Sequence, residues 1–219
     1  MKEDNSVLRW KIAQFFEILW WKRFLKRRDK SEYLLQKKAY WKRFLSKSGI
    51  DDIPSDKNIL DAGGGPAGIF LIFPGHNVTM CDPLLMQYQQ KLTHFSKDDY
   101  PYVEFHQSTI EDFSPGCTYG YVFCLNVINH VKDLGAAIRK LIKLTSSDGY
   151  LLVSSDCHKY SFLKGIFNLF QFDILHPHQK SAEDYLKIFV NNPEIEFVRR
   201  VTIKKELIFD YTLFVFRKR

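Results

Sequence analysis

The sequence predicts an α/β fold. A seven-stranded, mostly parallel sheet lies between two layers of helices, its C-terminal strand is antiparallel, and accessory helices precede it. Three observations carry this expectation. Strand-like apolar runs alternate with helical ones from residue 58 onward, the pattern of a parallel sheet with helical crossovers. The last two strand-like runs, 197–204 and 207–216, follow one another too closely for a parallel crossover, which needs a dozen or more residues. Residues 1–50 differ from the rest in charge, with 14 Lys/Arg against 5 Asp/Glu, in a chain of net charge +7.

At 219 residues, with 45% hydrophobic and 26% charged residues, the chain suits one globular domain with an accessory element. Residues 7–28 form a predicted helix whose apolar positions 8, 12, 15, 16 and 19 follow helical spacing. Asp29-Lys30-Ser31 breaks it, with Ser31 as the expected N-cap of a second helix that runs to about Leu45 and ends at Gly49. After a linker at 51–57, strands are expected near 58–62, 77–81, 102–106, 120–125 and 150–155. Helices are expected near 67–73, 84–95, 133–144 and 181–190, the last opened by a capping box at Ser181-Ala182-Glu183-Asp184. Residues 156–180 are long, aromatic and irregular, a pattern suited to a lid or substrate wall.

The four cysteines, Cys81, Cys117, Cys124 and Cys157, show no C-x-x-C pair, and no His/Cys cluster has zinc-ligand spacing. They read as reduced thiols of a cytoplasmic protein, and no metal site is expected. Charges interrupt every apolar stretch near the N-terminus, so neither a signal peptide nor a membrane-spanning helix is expected.

The run Asn58-Ile59-Leu60-Asp61-Ala62-Gly63-Gly64-Gly65-Pro66-Ala67-Gly68 carries the chemistry. A buried strand ends in an acid and enters a glycine turn, where a ligand can approach backbone with no Cβ in the way. Gly63-x-Gly65-x-x-Gly68 also fits the dinucleotide fingerprint, but pyrophosphate on a helix N-terminus favours neutral or positive surroundings, and here Asp61 precedes the glycines. The run resembles the first motif of class I S-adenosylmethionine-dependent methyltransferases. The resemblance continues in order through Val78–Asp82, Glu104–Phe113, Leu125–Val131 and Ser147–Val153, and covers roughly residues 50–219.

This resemblance implies a Rossmann-like three-layer sandwich with S-adenosylmethionine as cofactor and S-adenosylhomocysteine as product. It implies that Asp61, Gly63, Gly64 and Gly65 back the amino-acid part of the cofactor. Asp82, followed by Pro83, would accept the ribose hydroxyls, Thr109, Ile110 and Glu111 would border the adenine, and Asn126 would line the site after the fourth strand. Two positions depart from the pattern: Thr109 replaces a common acid, which moves the adenine contact to the Ile110 backbone or Glu111, and Gly120 replaces a common Asp.

Methyl transfer from a sulfonium needs orientation and water exclusion, and a base only where the acceptor must lose a proton. His130, His176 and His178 are the candidate catalytic residues, with Tyr160 and His158 behind them. For His130, a structural contact at a helix start explains the residue equally well. The expected acceptor is small and apolar or lipid-like, because residues 1–50 and 156–180 are rich in aromatics. Residues 1–50 suit a cap over the site or peripheral contact with an anionic membrane. Nucleic acid is disfavoured because no recognised RNA-binding module accompanies the charge. Two other readings stay open: an NAD(P)-dependent oxidoreductase using the same glycine loop, and a non-catalytic membrane-associated protein retaining the fold.

Overall fold

The computed structural model of the protein describes residues 2–158, 180–207 and 209–219, with residues 2–11 described by their backbone alone. Two helices, α1 (Lys2–Leu25) and α2 (Lys30–Ser48), precede the sheet. The strands are β1 (Ile59–Ala62), β2 (Val78–Cys81), β3 (Val103–His106), β4 (Tyr119–Leu125), β5 (Thr145–His158), β6 (Ile195–Lys205) and β7 (Phe209–Lys218). Between them lie α3 (Leu85–Lys91), α4 (Leu134–Leu144) and α5 (Ala182–Val190).

The strands form one sheet in the order β3-β2-β1-β4-β5-β7-β6. The first five are parallel, and β7 runs antiparallel to both β5 and β6. The chain therefore winds outward from β1 through β2 to β3, then returns to the other side of β1 as β4. Ligands of open α/β sheets bind at such a reversal, outside the carboxyl ends of the strands.

Alternation along the strands divides the core into two layers. Ile59, Val78, Met80, Phe123, Leu152 and Val215 face a cluster that includes Ile18, Leu25, Trp41, Phe44 and Leu85. Leu60, Ala62, Val122, Cys124, Val153 and Phe214 face the opposite cluster with Leu141, Tyr185 and Phe189. Thus α1, α2 and α3 cover one face, and α4 and α5 the other. The change in composition at residue 50 is not a break in the core, because α1 and α2 share buried contacts with β1 and β2.

Several local expectations are corrected. The N-cap of α2 is Asp29, whose Oδ1 accepts from the Glu32 N–H at 2.9 Å; Ser31 lies inside the helix. No α-helix spans 67–73. Two 3-10 turns, Gly65–Ala67 and Ile69–Ile72, stand there, separated by the extended backbone of Gly68. The helix expected to reach residue 95 stops at Lys91, where Leu92 turns extended. Strand β5 starts five residues before the expected 150 because Thr145 pairs with Tyr119. On α1, Ile18 is buried while Phe15, Phe16 and Leu19 are exposed, so positions 15, 16 and 19 of the expected apolar stripe do not form the packed face; position 8 lies outside the described side chains. Apolar residues occupy most of this helix's circumference, and periodicity alone does not choose among its faces.

Other expectations hold. Gly49 ends α2 with φ 75°, Ser181 caps α5 by accepting from the Asp184 N–H at 3.2 Å, and the C-terminal strands form an antiparallel pair. The candidates His176, His178 and Tyr160, and the lid expected from 156–180 apart from its ends, lie outside the described residues.

Candidate cofactor site

The glycine turn leaves β1 at the reversal of strand order. Gly63 has φ 75° and Gly65 has φ 61°, a region that L side chains rarely enter. A Cβ on Gly63 would lie 2.5 Å from Val127 Cγ1, so the loop after β1 touches the loop after β4. Beneath the turn sits Asp61, only 2% exposed. Its Oδ2 accepts from the Phe70 N–H at 3.1 Å, and a Cβ on Gly64 would lie 2.7 Å from the same oxygen. Asp61 is thus the floor of the turn, bracing the first and last parts of the loop against each other.

Burial pushes the Asp61 carboxyl up to about 7, against the opposing pull of the Phe70 and Ile69 amides and of Lys37. Lys37 comes from α2. Its ammonium lies 5.2 Å from the Tyr40 ring centroid and 5.0 Å from that of Trp41. Burial lowers its pKa while Asp61 works the other way.

At the end of β2, Asp82 is 5% exposed. Its Oδ2 accepts from the Gly65 N–H at 3.0 Å and its Oδ1 from the Leu84 N–H at 2.8 Å. The acid after β2 is therefore hydrogen-bonded directly to the glycine turn after β1. Burial first, and then the nearby Glu17 carboxylate, push Asp82 up to about 7. Each of its oxygens keeps a lone pair for a further donor.

The remaining candidates surround this centre unevenly. Pro83 follows Asp82 and is half-buried. Ile110 is buried against the α4 side of the sheet. Thr109 closes its own turn, its hydroxyl donating to Asp112 Oδ2 at 2.8 Å. Glu111 is turned away into a capping role: its Oε1 accepts from the Lys132 and Asp133 N–H groups at 2.9 and 3.0 Å.

Asn126 is exposed at the end of β4 in a left-handed conformation, φ 59°. Its N–H reaches the Ser154 carbonyl at 2.9 Å. His130 follows in the same loop, its N–H donating to the Val127 carbonyl at 2.8 Å.

Besides Lys37, four contributors were not among the sequence candidates. Trp21 of α1 lies beside the glycine turn, with Glu17 one helical turn before it. The Tyr88 hydroxyl donates to Glu17 Oε1 at 3.0 Å, and Trp21 Cζ2 is 4.0 Å from where a Cβ of residue 65 would stand. Tyr211 of β7 places its hydroxyl 2.6 Å from Ser154 Oγ and also bonds Tyr40. Asn129 is 1% exposed, and neither atom of its amide has a partner. Only the aromatic richness of residues 1–50 hinted that part of the site comes from α1 and α2.

The arrangement fits S-adenosylmethionine. A backbone cradle opens over Gly65, a carboxylate at the end of β2 can accept from a ribose, and Asp61 and Lys37 offer opposite charges for the zwitterionic amino-acid end.

A family model described as a methyltransferase domain matches residues 32–207, most of the chain. Among curated proteins, the ubiquinone biosynthesis O-methyltransferase of Rickettsia bellii is 31% identical over 163 residues, covering 73% of this chain and 66% of that protein. Its counterpart in Rickettsia akari is 31% identical over 125 residues, covering 57% of this chain and 47% of that protein. The chain thus spans about half to two thirds of the length of these relatives. Among solved structures, magnesium protoporphyrin IX methyltransferase from Synechocystis, with S-adenosylhomocysteine bound, superposes with TM-score 0.63 at 14% identity, covering 98% of this chain and 99% of that one.

The chain belongs to the class I S-adenosylmethionine-dependent methyltransferase family, with S-adenosylmethionine as its cofactor. Neither the oxidoreductase reading nor the non-catalytic one gains support from these matches. Among the described residues, no helix is long and apolar enough to cross a membrane.

Proposed function

We propose that this chain transfers a methyl group from S-adenosylmethionine to an oxygen of a small apolar or lipid-like acceptor, a precursor of the ubiquinone type being the specific candidate. The observation that carries the reading is the Gly65–Asp82 hydrogen bond at the strand reversal, which joins a backbone cradle to a carboxylate. The oxygen acceptor follows the names of the Rickettsia relatives. The apolar acceptor follows the aromatic composition of residues 1–50 and 156–180.

The cofactor supplies a methyl group already activated by its sulfonium. The protein's part is to orient donor and acceptor and to keep water out. Asp82 holds the ribose, Asp61 fixes the turn and supplies negative charge, and Lys37 suits the amino-acid carboxylate. His130, His176 and His178 are the proposed bases for a hydroxyl acceptor.

Peripheral contact of residues 1–50 with an anionic membrane belongs to the same reading. Phe15, Phe16, Leu19 and Trp20 are exposed on α1, and Lys22, Arg23, Lys26 and Arg27 follow in sequence.

The test is transfer of a labelled methyl group to a set of prenylated phenols and to water-soluble amines and phenols. Label on the prenylated phenols supports the proposal. Label confined to water-soluble acceptors overturns the lipid-like acceptor, and label confined to amines overturns the oxygen. Sedimentation with anionic vesicles, weakened by Phe16→Ser/Trp20→Ser, tests the membrane contact.

A further inference from the structure

The N-terminal helix brings a third carboxylate to the cofactor site. Glu17 lies on the inward side of α1, next to the buried Ile18, and is itself half-buried. It is held there by two donors, the Tyr88 hydroxyl from α3 at 3.0 Å and the side chain of Trp21 one turn along its own helix. Trp21 in turn stands over Gly65, and the Gly65 N–H is bonded to Asp82. A chain of neighbours therefore runs Tyr88, Glu17, Trp21, Gly65, Asp82 at the end of β2.

After burial, the Glu17 carboxylate raises Asp82, and the Tyr88 hydroxyl, bonded to Glu17, is raised by both carboxylates. Two like charges facing each other in a desolvated space repel. The groups around them are Tyr88, Trp21, Asp61 and the Gly65 and Leu84 amides, with the Lys37 ammonium in electrostatic reach of Asp61. Hydrogen-bond donors placed between the two carboxylates would relieve the repulsion. A vicinal diol offers two, and each carboxylate has lone pairs to receive them.

We propose that Glu17 is a cofactor-binding residue which, with Asp82, clasps the ribose diol of the adenosyl group, so that α1 is part of the cofactor site and closes it. This rests on the assignment of the glycine turn and Asp82 to S-adenosylmethionine. It adds a residue from outside the sheet, 65 positions before Asp82 in the chain. Burial raises the Glu17 pKa, with the hydrogen bonds from Tyr88 and Trp21 opposing.

The test is calorimetric titration of the full chain with S-adenosylhomocysteine and with its 2′,3′-dideoxyribose analogue, in wild type, Glu17→Gln and Glu17→Ala. Glu17→Gln is expected to weaken S-adenosylhomocysteine roughly tenfold, the scale of a hydrogen bond to a charged group. The same variant is expected to bind the dideoxy analogue as wild type does. Equal affinity of wild type and Glu17→Gln for S-adenosylhomocysteine overturns the proposal. So does tighter binding by Glu17→Ala, which would make α1 an obstruction rather than a contact. Failure of the wild type to bind S-adenosylhomocysteine at all overturns the underlying site assignment instead. Should either Glu17 variant unfold, Tyr88→Phe gives the same readout, since it removes a donor that orients Glu17; unchanged affinity there counts against the proposal.

Discussion

The Trp41 indole N–H donates to the Ala67 carbonyl at 2.9 Å in the buried layer between α2 and the turn that follows the glycine loop. This one bond ties an N-terminal helix to the cofactor cradle across 26 residues of chain. Trp41→Phe keeps most of the apolar volume but leaves the Ala67 carbonyl unpaired. The expected cost is about 1–3 kcal/mol, read from urea unfolding. Affinity for S-adenosylhomocysteine is expected to fall with it, because the cradle loses its support from α2.

Gly63→Ala meets two obstacles. The left-handed backbone alone costs about 1–3 kcal/mol for a residue with a Cβ, and that Cβ would stand 2.5 Å from Val127 Cγ1. Lost S-adenosylhomocysteine binding and a lowered melting temperature are the expected results. Adding Val127→Ala is expected to recover part of the melting temperature, because it removes the γ-carbons at 2.5 and 2.6 Å while the Cβ contact at 3.0 Å and the backbone strain remain. Thermal melts of the single and double variants separate the two contributions.

Asp61 and Asp82, both raised to about 7 from 3.8 chiefly by burial, give the ligand-free protein an uncommon pH dependence. Between about pH 4 and pH 7 the folded chain holds protons on these groups that the unfolded chain has lost. The stability they contribute is full below the unfolded value and is lost as pH rises through about 7. The urea midpoint is therefore expected to be lower at pH 8 than at pH 6, and Asp82→Asn is expected to shrink that difference. Ribose hydroxyls donate to the ionised carboxylate, so S-adenosylhomocysteine affinity is expected to rise over the same range in wild type and to rise less in Asp82→Asn, where only Asp61 of the pair still titrates.

Asn129 keeps both ends of its amide unpaired in the interior, in the loop that ends with His130. Burying an unsatisfied polar group costs about 1–3 kcal/mol. Asn129→Leu is expected to raise the melting temperature. A loss of methyl transfer with unchanged S-adenosylhomocysteine affinity would place this amide on the acceptor side; unchanged transfer would leave it without a catalytic purpose.

Legibility in the sequence followed the range of the interactions. Gly63 and Gly65 were readable because a left-handed backbone restricts residue choice locally. Asp82 was readable because a strand ending in an acid is a local pattern. Thr109 and Glu111 show the limit of that approach: one closes its own turn and the other caps the approach to α4, and their neighbours in sequence do not reveal these partners. On α1 aromatic and aliphatic residues together occupy most of the circumference, so spacing identified a helix but did not choose Ile18 and Leu25 as the buried side.

The sequence by itself determined the alternating α/β order, the antiparallel end of the sheet, and the glycine turn between two acids. Each is written in hydrophobic period, connection length or backbone conformational demand, all properties of short stretches of chain. Only the tertiary structure decided that Trp21 stands beside that turn, that Glu17 meets Tyr88, that Lys37 comes within electrostatic reach of Asp61 and that Tyr211 meets Ser154. Their placement depends on how α1, α2 and β7 pack against the sheet, and packing is set by the summed burial of many distant side chains, which no short stretch of sequence contains.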